Sequence, residues 1–402
     1  MTDHSGPLGL YIHIPFCSRL CHYCDFVKTA RYNQDLQSAY LRALEARART
    51  WLEFWPELFP EEKRLESVFF GGGTPSLLDR EYEPLVMSFK SRLSPSSEVS
   101  LEANPEHITE DRLKIWASLG INRLSLGVQS FQNEGLKRLT REHTPEQAAE
   151  AVSLARNTFS NVNIDLIYGW PGQTEAQWEA DLEQAIALGA EHLSLYTLTY
   201  EGRTPMARRV QRGVLEPSSD ASLESFYRLA CAQLSAAGYL HEEVSNWAKP
   251  AARSRHNAIY WNGGSYIGLG SGAHSYLEHW GRWGLRWQQH PSWKRFAETP
   301  EVSVQSIYEL LSHPDYHQET DRDAQAWILE GVSSALRTQR GLNLDAICAK
   351  TGYILNPRPA VRQAMDLGLL RVDAQGQLTL SEAEWYRETY WSLEVSLSLK
   401  KA

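Results

Sequence analysis

Three cysteines lie within eight residues of one another near the amino terminus of the chain. They are Cys17, Cys21 and Cys24, and their spacing is C-x3-C-x2-C. A four-iron cluster normally takes one cysteine per iron, so three thiolates leave one iron with an open position. The spacing therefore favours an iron–sulfur cluster that can bind a further molecule at its fourth iron.

Other uses of these thiols have to be weighed against the cluster. A disulfide framework needs an even set of cysteines in a secreted chain, but this chain has five, with Cys231 and Cys348 far from the other three. The first ten residues lack the apolar core of a signal peptide, so we expect reduced thiols and a cytoplasmic protein. A zinc site of three cysteines with His13 or His22 stays open, although zinc sites usually draw their ligands from two separated pairs.

The composition narrows the classes of partner. The chain has 402 residues, a hydrophobic fraction of 42% and a formal net charge of -9, which argues against a polyanion as the main partner. No apolar run approaches the ~18 residues that cross a bilayer. A peripheral membrane contact and a homodimer stay open.

Strands alternate with helices along the first half of the chain. Strands are predicted at residues 8–14, 67–70, 98–103, 123–128, 162–168 and 192–199. Helices are predicted at residues 34–55, 81–92, 110–119, 145–159 and 175–188. This alternation predicts an α/β fold with a parallel sheet and right-handed crossovers. Six strands fit an open, partial (β/α)6 TIM-like barrel better than a closed eightfold one.

Polar and glycine residues follow the carboxyl ends of these strands. The cysteines come after the first strand, Gly71-Gly72-Gly73 after the second, Glu102 and Asn104 at the third, Gln129 after the fourth, and Asp165 lies in the fifth. Chemistry in parallel barrels gathers at the carboxyl ends of the strands. We therefore expect one composite site.

The individual residues leave alternatives open. The glycine run lets a backbone approach a ligand, but such turns are often structural, and no Gly-Lys-Ser/Thr of a P-loop follows. Glu102 in an apolar strand needs a bound cation, an ammonium group or an internal salt bridge. Asp165 suits a ribose diol. Arg141 is either a bidentate clamp for a carboxylate or a solvated surface group.

A resemblance to a known family extends these observations. The segment Y-I-H-I-P-F-C-x3-C-x2-C resembles the radical S-adenosylmethionine (radical SAM) superfamily, in the branch of oxygen-independent coproporphyrinogen III oxidase and the HemW-type heme chaperones. The resemblance covers roughly residues 8–280. It continues through F-F-G-G-G-T-P, L-E-A-N-P, L-S-L-G-V-Q-S-F, D-L-I-Y-G-W-P-G-Q-T, L-S-L-Y-T-L-T-Y-E-G-R-T-P and G-L-G-S-G-A-H-S-Y.

The resemblance implies two cofactors. Cys17, Cys21 and Cys24 would ligate a [4Fe-4S] cluster, and the amine and carboxylate of S-adenosyl-L-methionine would occupy the fourth iron. Electron donation into the sulfonium gives a 5′-deoxyadenosyl radical in this family. The implied residues around S-adenosylmethionine are Tyr11, Gly72, Gly73, Thr74, Glu102, Gln129, Arg141 and Asp165.

The resemblance also implies a role for several of these side chains. Glu102 and Arg141 would meet the amine and the carboxylate of the methionyl part. Gln129 and Asp165 would hold the adenosyl part.

Three features distinguish the two branches. The oxidase has a fourth cysteine two places after the third, where this chain has Phe26. The oxidase has a long arm before its first strand, where this chain has a short segment. Residues 255–261 contain H-N-x-x-Y-W, which resembles the chaperone branch. We therefore expect a chaperone that binds heme and passes it to an acceptor hemoprotein.

The competing functions are enzymatic. One is decarboxylation of two porphyrinogen propionates, and another is methyl or radical transfer on an unrelated substrate. Whether the protein catalyses turnover at all stays open.

Candidate heme-binding residues lie in the H-N-x-x-Y-W segment. Histidine is the usual axial ligand of heme iron, and His256 lies next to Tyr260 and Trp261, whose rings could stack on a porphyrin. The alternative is a turn histidine before a strand. A second aromatic group either covers the barrel mouth, forms a heme surface or packs between domains. It consists of Trp280, Trp283, Trp287 and Trp293, with His290.

The domain prediction has three parts. Residues 1–285 form the barrel with its extension, residues 286–320 a connecting segment, and residues 321–402 a helical, winged-helix-like domain. The last part has predicted helices at 324–337, 343–349 and 361–367 and a hairpin of strands 369–372 and 377–380. It holds three Lys and seven Arg against ten acidic residues, so we expect no nucleic-acid partner and favour a lid or protein contact.

Overall fold

The computed structural model describes residues 6–299, 304–319 and 322–402. The strands up to residue 319 are β1 Leu8–Ile14, β2 Leu65–Gly72, β3 Leu93–Ala103, β4 Arg123–Gln129, β5 Val162–Tyr168, β6 His192–Thr197, β7 Leu240–Glu243, β8 Asn246–Ala248, β9 Ser265–Leu269, β10 His274–Leu277, β11 Leu285–Gln289 and β12 Tyr316–Gln318. The helices are α1 Gln34–Glu53, α2 Trp55–Leu58, α3 Glu83–Phe89, α4 Glu110–Ser118, α5 Asn133–Arg138, α6 Pro145–Thr158, α7 Glu175–Leu188, α8 Pro205–Gln211, α9 Asp220–Ala236, α10 Arg255–Trp261, α11 Trp293–Glu298 and α12 Ile307–Ser312.

The first six strands form the predicted open parallel barrel. In the large sheet the order is β12-β11-β10-β9-β1-β2-β3-β4-β5-β6-β8-β7, and β1 to β6 pair in parallel with their sequence neighbours. Both faces of these strands are largely buried, as is typical of parallel strands covered by crossover helices. In the described residues β1 pairs next with β9 and β6 with β8, so the barrel does not close. The predicted fold class is confirmed.

Prolines lie in the first turns of two helices whose bounds differ from the prediction. The predicted helix at 34–55 stops at Glu53, and Pro56 lies in the first turn of a separate helix, α2. Within the helix predicted at 81–92, only α3 is α-helical, and Pro84 lies in its first turn. Short 3-10 helices flank it at Arg80–Tyr82 and Lys90–Arg92. Proline has no N–H to donate and fits only the first turn of a helix.

The described part of residues 286–320, which the sequence predicts to connect two domains, contributes strands to the same sheet as the barrel. It contributes β11 and β12 to the large sheet. Trp287 of β11 is fully buried, with its ring centroid 5.4 Å from that of Trp51 in α1. Arg47 and Asp315 form a buried ion pair of 2.6 Å between α1 and this segment. The described part of this segment therefore packs on the barrel, and the domain bounds stay a prediction.

The remaining members of the tryptophan group also pack between elements. The Trp293 ring lies 6.0 Å from Phe16, and the Trp280 ring lies 5.3 Å from Tyr308. Trp283 lies 6.1 Å from Trp327 in the carboxy-terminal domain. Packing, rather than a porphyrin surface, accounts for these rings.

The carboxy-terminal domain has the helix and strand order of a winged helix. Its elements are α13 Ala324–Leu336, β13 Leu342–Asn343, α14 Leu344–Thr351, β14 Tyr353–Leu355, α15 Pro359–Asp366, β15 Leu370–Val372, β16 Gln377–Leu380, α16 Glu388–Ser398 and β17 Leu399–Lys401. The strands β13, β16 and β15 form an antiparallel sheet that contains the predicted hairpin. The helix α16 and the pairing of β14 with β17 were not predicted. None of the helices described combines the length and apolar character needed to cross a bilayer.

Candidate cofactor-binding site at the carboxyl ends of the barrel strands

One cavity of about 880 Å³ opens at the carboxyl ends of the barrel strands. It brings together every residue predicted for the cluster and for S-adenosylmethionine. The predicted residues that line it are Tyr11, Cys17, Cys21, Cys24, Gly72, Gly73, Thr74, Glu102, Gln129, Arg141 and Asp165. The convergence expected from the carboxyl-end rule is therefore present in the geometry.

Backbone and histidine hydrogen bonds close the loop that carries the cysteines. Cys17 N donates to Thr29 O at 2.9 Å. His13 Nε2 donates to Val27 O at 2.7 Å, and Tyr11 Oη donates to His13 Nδ1 at 3.1 Å. Burial lowers the pKa of His13 to about 4, so its ring is neutral. Both ring nitrogens are used, and His13 anchors the loop rather than serving as a zinc ligand.

The three thiols suit an iron–sulfur cluster by their chemistry. Thiolates are the soft ligands that such clusters take, one per iron, so the three sulfurs need not converge on one ion. Among the residues described, no group of three or more His, Cys, Asp or Glu side chains is arranged to hold a single metal ion. Burial raises the pKa of the Cys17 thiol to about 11, so metal binding would release its proton.

Two glycines keep side chains away from this loop. Gly72 has φ of +117°, and a Cβ there would lie 2.6 Å from His13 Cε1. A Cβ at Gly73 would lie 2.8 Å from Phe16 O and 3.0 Å from Cys17 Sγ. The glycine run therefore has a steric reason, which is close approach of β2 to the cysteine loop.

Replacing Gly72 with alanine should destabilise the fold by about 1–3 kcal/mol, because it adds a clash with His13 to an unfavourable φ. Gly120→Ala is the matched control, since Gly120 has φ of +91° but a Cβ added there would meet nothing within 4 Å. Thermal unfolding of both variants measures the difference. Equal melting temperatures would contradict a role for the His13 contact.

Glu102 lies deep in the cavity without a cationic partner. Its Oε2 accepts from Gly72 N at 3.0 Å, and it makes no ion pair with any residue described. Burial, and then the nearby Asp165, raise the pKa of Glu102 to about 8. Among the residues described, Glu102 therefore lacks the internal salt bridge that the sequence left open. A nitrogen donor of a ligand, such as an amine or ammonium group, would supply the missing hydrogen bond.

Asp165 is held by neutral donors. Ser125 Oγ donates to its Oδ2 at 3.0 Å, and Asn163 Nδ2 donates to its Oδ1 at 2.8 Å. Burial raises the pKa of Asp165. The carboxylate retains acceptor capacity for a hydroxyl pair of a ligand.

Arg141 is fixed beside the cysteine loop. Its Nη2 donates to Asn104 Oδ1 at 2.7 Å and to Gly127 O at 2.9 Å, and its Nη1 lies 3.6 Å from Cys21 Sγ. The alternative of a solvated surface arginine is therefore excluded. The guanidinium is placed to meet an anionic group bound next to the cysteines.

Gln129 lies at an irregularity of the sheet. Its φ is +69°, which is uncommon for a residue other than glycine, and the β4–β5 register shifts between Leu126 and Gln129. Such bulges re-aim side chains next to functional sites. A Cβ at Gly127 would lie 2.9 Å from Gln129 Nε2, so this glycine leaves room for the amide.

Of the candidate heme residues, the structure places two at the cavity and one elsewhere. His256 and Tyr260 of α10 line the cavity. Trp261 lies on the other side of α10, under the Arg337 guanidinium at 4.0 Å, in a separate cleft of about 370 Å³. The three residues therefore do not form one surface, and His256 is in a helix rather than in a turn.

His256 is buried and both of its ring nitrogens are occupied. Nδ1 lies 2.7 Å from Ser67 Oγ, and Nε2 lies 2.7 Å from Tyr260 Oη. The side chain stacks on Phe69 at a centroid distance of 5.1 Å. Burial lowers the pKa of His256 to about 3, so the ring is neutral and donates from one nitrogen while accepting at the other.

The sequence interpretation missed two residues behind the cavity, Glu106 and His143. Each lies two residues after a candidate, Asn104 and Arg141 respectively. That adjacency was the only signal, since neither residue lies at a strand end.

Comparisons with known proteins agree with this geometry. The family model described as the radical SAM superfamily matches residues 11–185. Heme chaperone HemW of Lactococcus lactis is 37% identical over 275 residues, which cover 67% of this chain and 70% of that protein. HemW of Escherichia coli is 38% identical over 272 residues, with shares of 67% and 70%.

A solved structure extends the likeness to the carboxy-terminal domain. Coproporphyrinogen III oxidase (HemN) from Escherichia coli has a TM-score of 0.72, covering 97% of this chain and 90% of that one. At 23% sequence identity this likeness shows the shared fold alone.

The matched domain and the open barrel define the class of the protein, which is the radical SAM superfamily. The chain belongs to the HemW family of heme chaperones within that superfamily. The predicted family is confirmed, and so, at the level of the family, are the [4Fe-4S] cluster and S-adenosylmethionine.

Proposed function

We propose that this protein binds heme and passes it to an acceptor hemoprotein in the cytoplasm. The observation that carries the proposal is the identity of 37% to a protein named heme chaperone HemW over two thirds of both chains. Phe26 supports it, because this side chain is 64% exposed at the mouth of the cavity, where the oxidase branch has a fourth cysteine. The free cysteines suit a reducing compartment.

The proposal includes a resident [4Fe-4S] cluster on Cys17, Cys21 and Cys24. Its fourth iron would bind the amine and carboxylate of S-adenosylmethionine, which supplies a sulfonium that can accept an electron.

The chain's own side chains orient the second cofactor. Glu102 would accept a hydrogen bond from the amine, and Arg141 would pair with the carboxylate. Gln129 and Asp165 would hold the adenosyl part, while Tyr11 and the backbone of Gly72, Gly73 and Thr74 line the remaining wall.

Heme is proposed to reach α10 from the cavity side. Iron ligation by His256 would require release of one of its two hydrogen bonds, either to Tyr260 or to Ser67. The Tyr260 bond is the more accessible, because Tyr260 is partly exposed while Ser67 is fully buried.

His256→Ala is expected to remove the nitrogen-ligand signature from the absorption spectrum of bound heme and to weaken binding about tenfold or more. Tyr260→Phe is expected to keep ligation, because it frees Nε2 of His256. A hemin titration followed by absorption measures both variants. His317→Ala, at an exposed histidine, is the control. An unchanged spectrum and stoichiometry for His256→Ala would show that His256 is not the ligand.

The function itself is tested with anaerobically reconstituted protein. Hemin titration should give about one heme per chain. The loaded protein should then transfer heme to an apo-hemoprotein faster than an unrelated heme-binding protein does under the same conditions. Incubation with coproporphyrinogen III and a reductant should give no product. Formation of protoporphyrinogen IX would overturn the proposal in favour of the oxidase.

A further inference from the structure

Two residues outside the cavity connect two of its walls. Glu106 lies in the 3-10 helix Pro105–His107 after β3, and His143 follows the loop that carries Arg141. The His143 side chain is fully buried, while that of Glu106 is 22% exposed. Neither residue lines the cavity, so a direct contact with S-adenosylmethionine is not the role that their position indicates.

One branch of hydrogen bonds runs from Glu106 to the cysteine loop. Glu106 Oε1 accepts from Asn104 Nδ2 at 2.9 Å. Asn104 Oδ1 then accepts from Arg141 Nη2 at 2.7 Å, and Arg141 Nη1 lies 3.6 Å from Cys21 Sγ. Glu106 therefore fixes which way the Asn104 amide faces, and that amide fixes the guanidinium.

The other branch runs to the strand end that carries Gln129. His143 Nε2 donates to Val128 O at 2.9 Å, because a carbonyl oxygen can only accept. His143 Nδ1 lies 3.3 Å from Glu106 Oε2. Val128 directly precedes Gln129, whose backbone has φ of +69°. The buried imidazole therefore fixes the peptide between Val128 and Gln129, where the backbone of the strand enters the left-handed conformation.

The charge state of Glu106 agrees with this arrangement. Burial alone would raise its pKa, but the contact with the His143 side chain and the charge of Arg141 outweigh burial and lower the pKa to about 2. The carboxylate is therefore ionised at neutral pH and can accept on both oxygens.

We propose that Glu106 and His143 are positioning residues that hold Arg141 and Gln129 in the geometry that binds S-adenosylmethionine. The inference rests on the proposed cofactor site and goes beyond it by assigning two residues that touch neither cofactor. They act through Asn104 and through the Val128 carbonyl.

Four variants of the full chain test the proposal after anaerobic cluster reconstitution. Glu106→Ala and His143→Ala should each weaken the binding of S-adenosylmethionine about tenfold, with iron content unchanged. Glu106→Gln should recover most of the affinity, because its amide oxygen can still accept from Asn104 Nδ2. Glu110→Ala, at an exposed carboxylate of α4, is the control and should bind like the parent.

Two readouts separate positioning from general stability. One is the dissociation constant of S-adenosylmethionine at constant cluster content. The other is the electron paramagnetic resonance (EPR) signal of the reduced cluster with and without S-adenosylmethionine. In the two alanine variants, saturating ligand should give a signal that differs from that of the parent complex, because the ligand orientation changes.

Binding of the Glu106→Ala protein within twofold of the parent would overturn the proposal. A Glu106→Gln protein as weak as Glu106→Ala would also overturn it, since the acceptor for Asn104 is retained. A parent protein that binds no S-adenosylmethionine would remove the cofactor site and this inference with it. A parent that binds S-adenosylmethionine but no heme would overturn only the heme function.

Discussion

Replacing any one of Cys17, Cys21 and Cys24 with alanine is expected to abolish cluster assembly. Iron should fall from about four per chain to near zero, because a cluster normally takes one thiolate per iron and two thiolates leave two irons without a protein ligand. The visible iron–sulfur absorption and the binding of S-adenosylmethionine should disappear together. Iron and sulfide analysis of anaerobically reconstituted protein measures the effect.

The remaining cysteines provide the matched controls. Cys231 lies in α9 against the hydrophobic core, and Cys348 lies in α14. Neither lines the cavity, so Cys231→Ala and Cys348→Ala should keep a full cluster. If one of these two variants lost iron while Cys21→Ala kept four irons per chain, the assignment of the ligands would be wrong.

Glu102→Gln is expected to have the second largest effect and to change the pH dependence of cofactor binding. Without a ligand, burial and the nearby Asp165 raise the pKa of Glu102 to about 8, so the carboxyl is protonated at pH 6. Accepting a hydrogen bond from the iron-bound amine favours the carboxylate, so binding below pH 8 releases a proton from Glu102. A second proton comes from the ligand, whose ammonium group must lose it before its nitrogen can bind iron. Affinity for S-adenosylmethionine should rise from pH 6 and level off near pH 8, and Glu102 should account for about tenfold per pH unit of that rise.

Glu102→Gln removes both the charge and the titration. Affinity at pH 8 should fall by about 10- to 100-fold, because a hydrogen bond to a charged group is lost. The rise between pH 6 and 8 should become shallower by about tenfold per pH unit, since only the ligand's amine still titrates. Isothermal titration calorimetry in buffers of different ionisation enthalpy measures the affinity and the released proton. Glu110→Gln serves as the control. A parent whose affinity depends on pH no more steeply than that of Glu102→Gln would contradict the proposed contact of Glu102 with the amine.

The same raised pKa has a consequence for stability without the cofactor. The folded protein holds a proton on Glu102 more tightly than the unfolded chain, whose carboxyl has the ordinary value of 4.5. The contribution of protonated Glu102 to the free energy of unfolding is therefore complete below pH 4.5 and is lost as pH rises through about 8. S-adenosylmethionine should raise the melting temperature more at pH 8 than at pH 6.

The barrel and its site could be predicted because both depend on regular patterns. Apolar strands alternating with helices define β1 to β6, and the carboxyl-end rule brings Glu102, Gln129 and Asp165 to one edge without knowledge of any contact. Capping also acts locally, as Thr144 shows at the start of α6, where its side chain accepts from Gln147 N.

The sheet extension was harder to predict because its strands are short. The strand β12 has three residues, and its place is fixed by distant contacts such as the Arg47–Asp315 pair. Likewise, Glu106 and His143 gain their role from hydrogen bonds across the site. Such contacts depend on tertiary structure and leave no period in the sequence.

The heme candidates show how one missed helix changes an interpretation. On α10, His256 and Tyr260 are four residues apart and share a face. Trp261 is five residues from His256 and is therefore turned about 140° away from it. The heme interpretation took the three rings as one surface without assigning a helix, whereas the helix sends Trp261 towards Arg337.

We infer that three thiolates leave one iron of the cluster open to a sulfonium ligand. EPR spectroscopy of the reduced, anaerobically reconstituted protein tests this inference most directly. About four irons and four sulfides per chain are predicted, with a cluster signal that shifts when S-adenosylmethionine is added. Zinc or no metal at Cys17, Cys21 and Cys24, or a cluster signal that S-adenosylmethionine leaves unchanged, would contradict it.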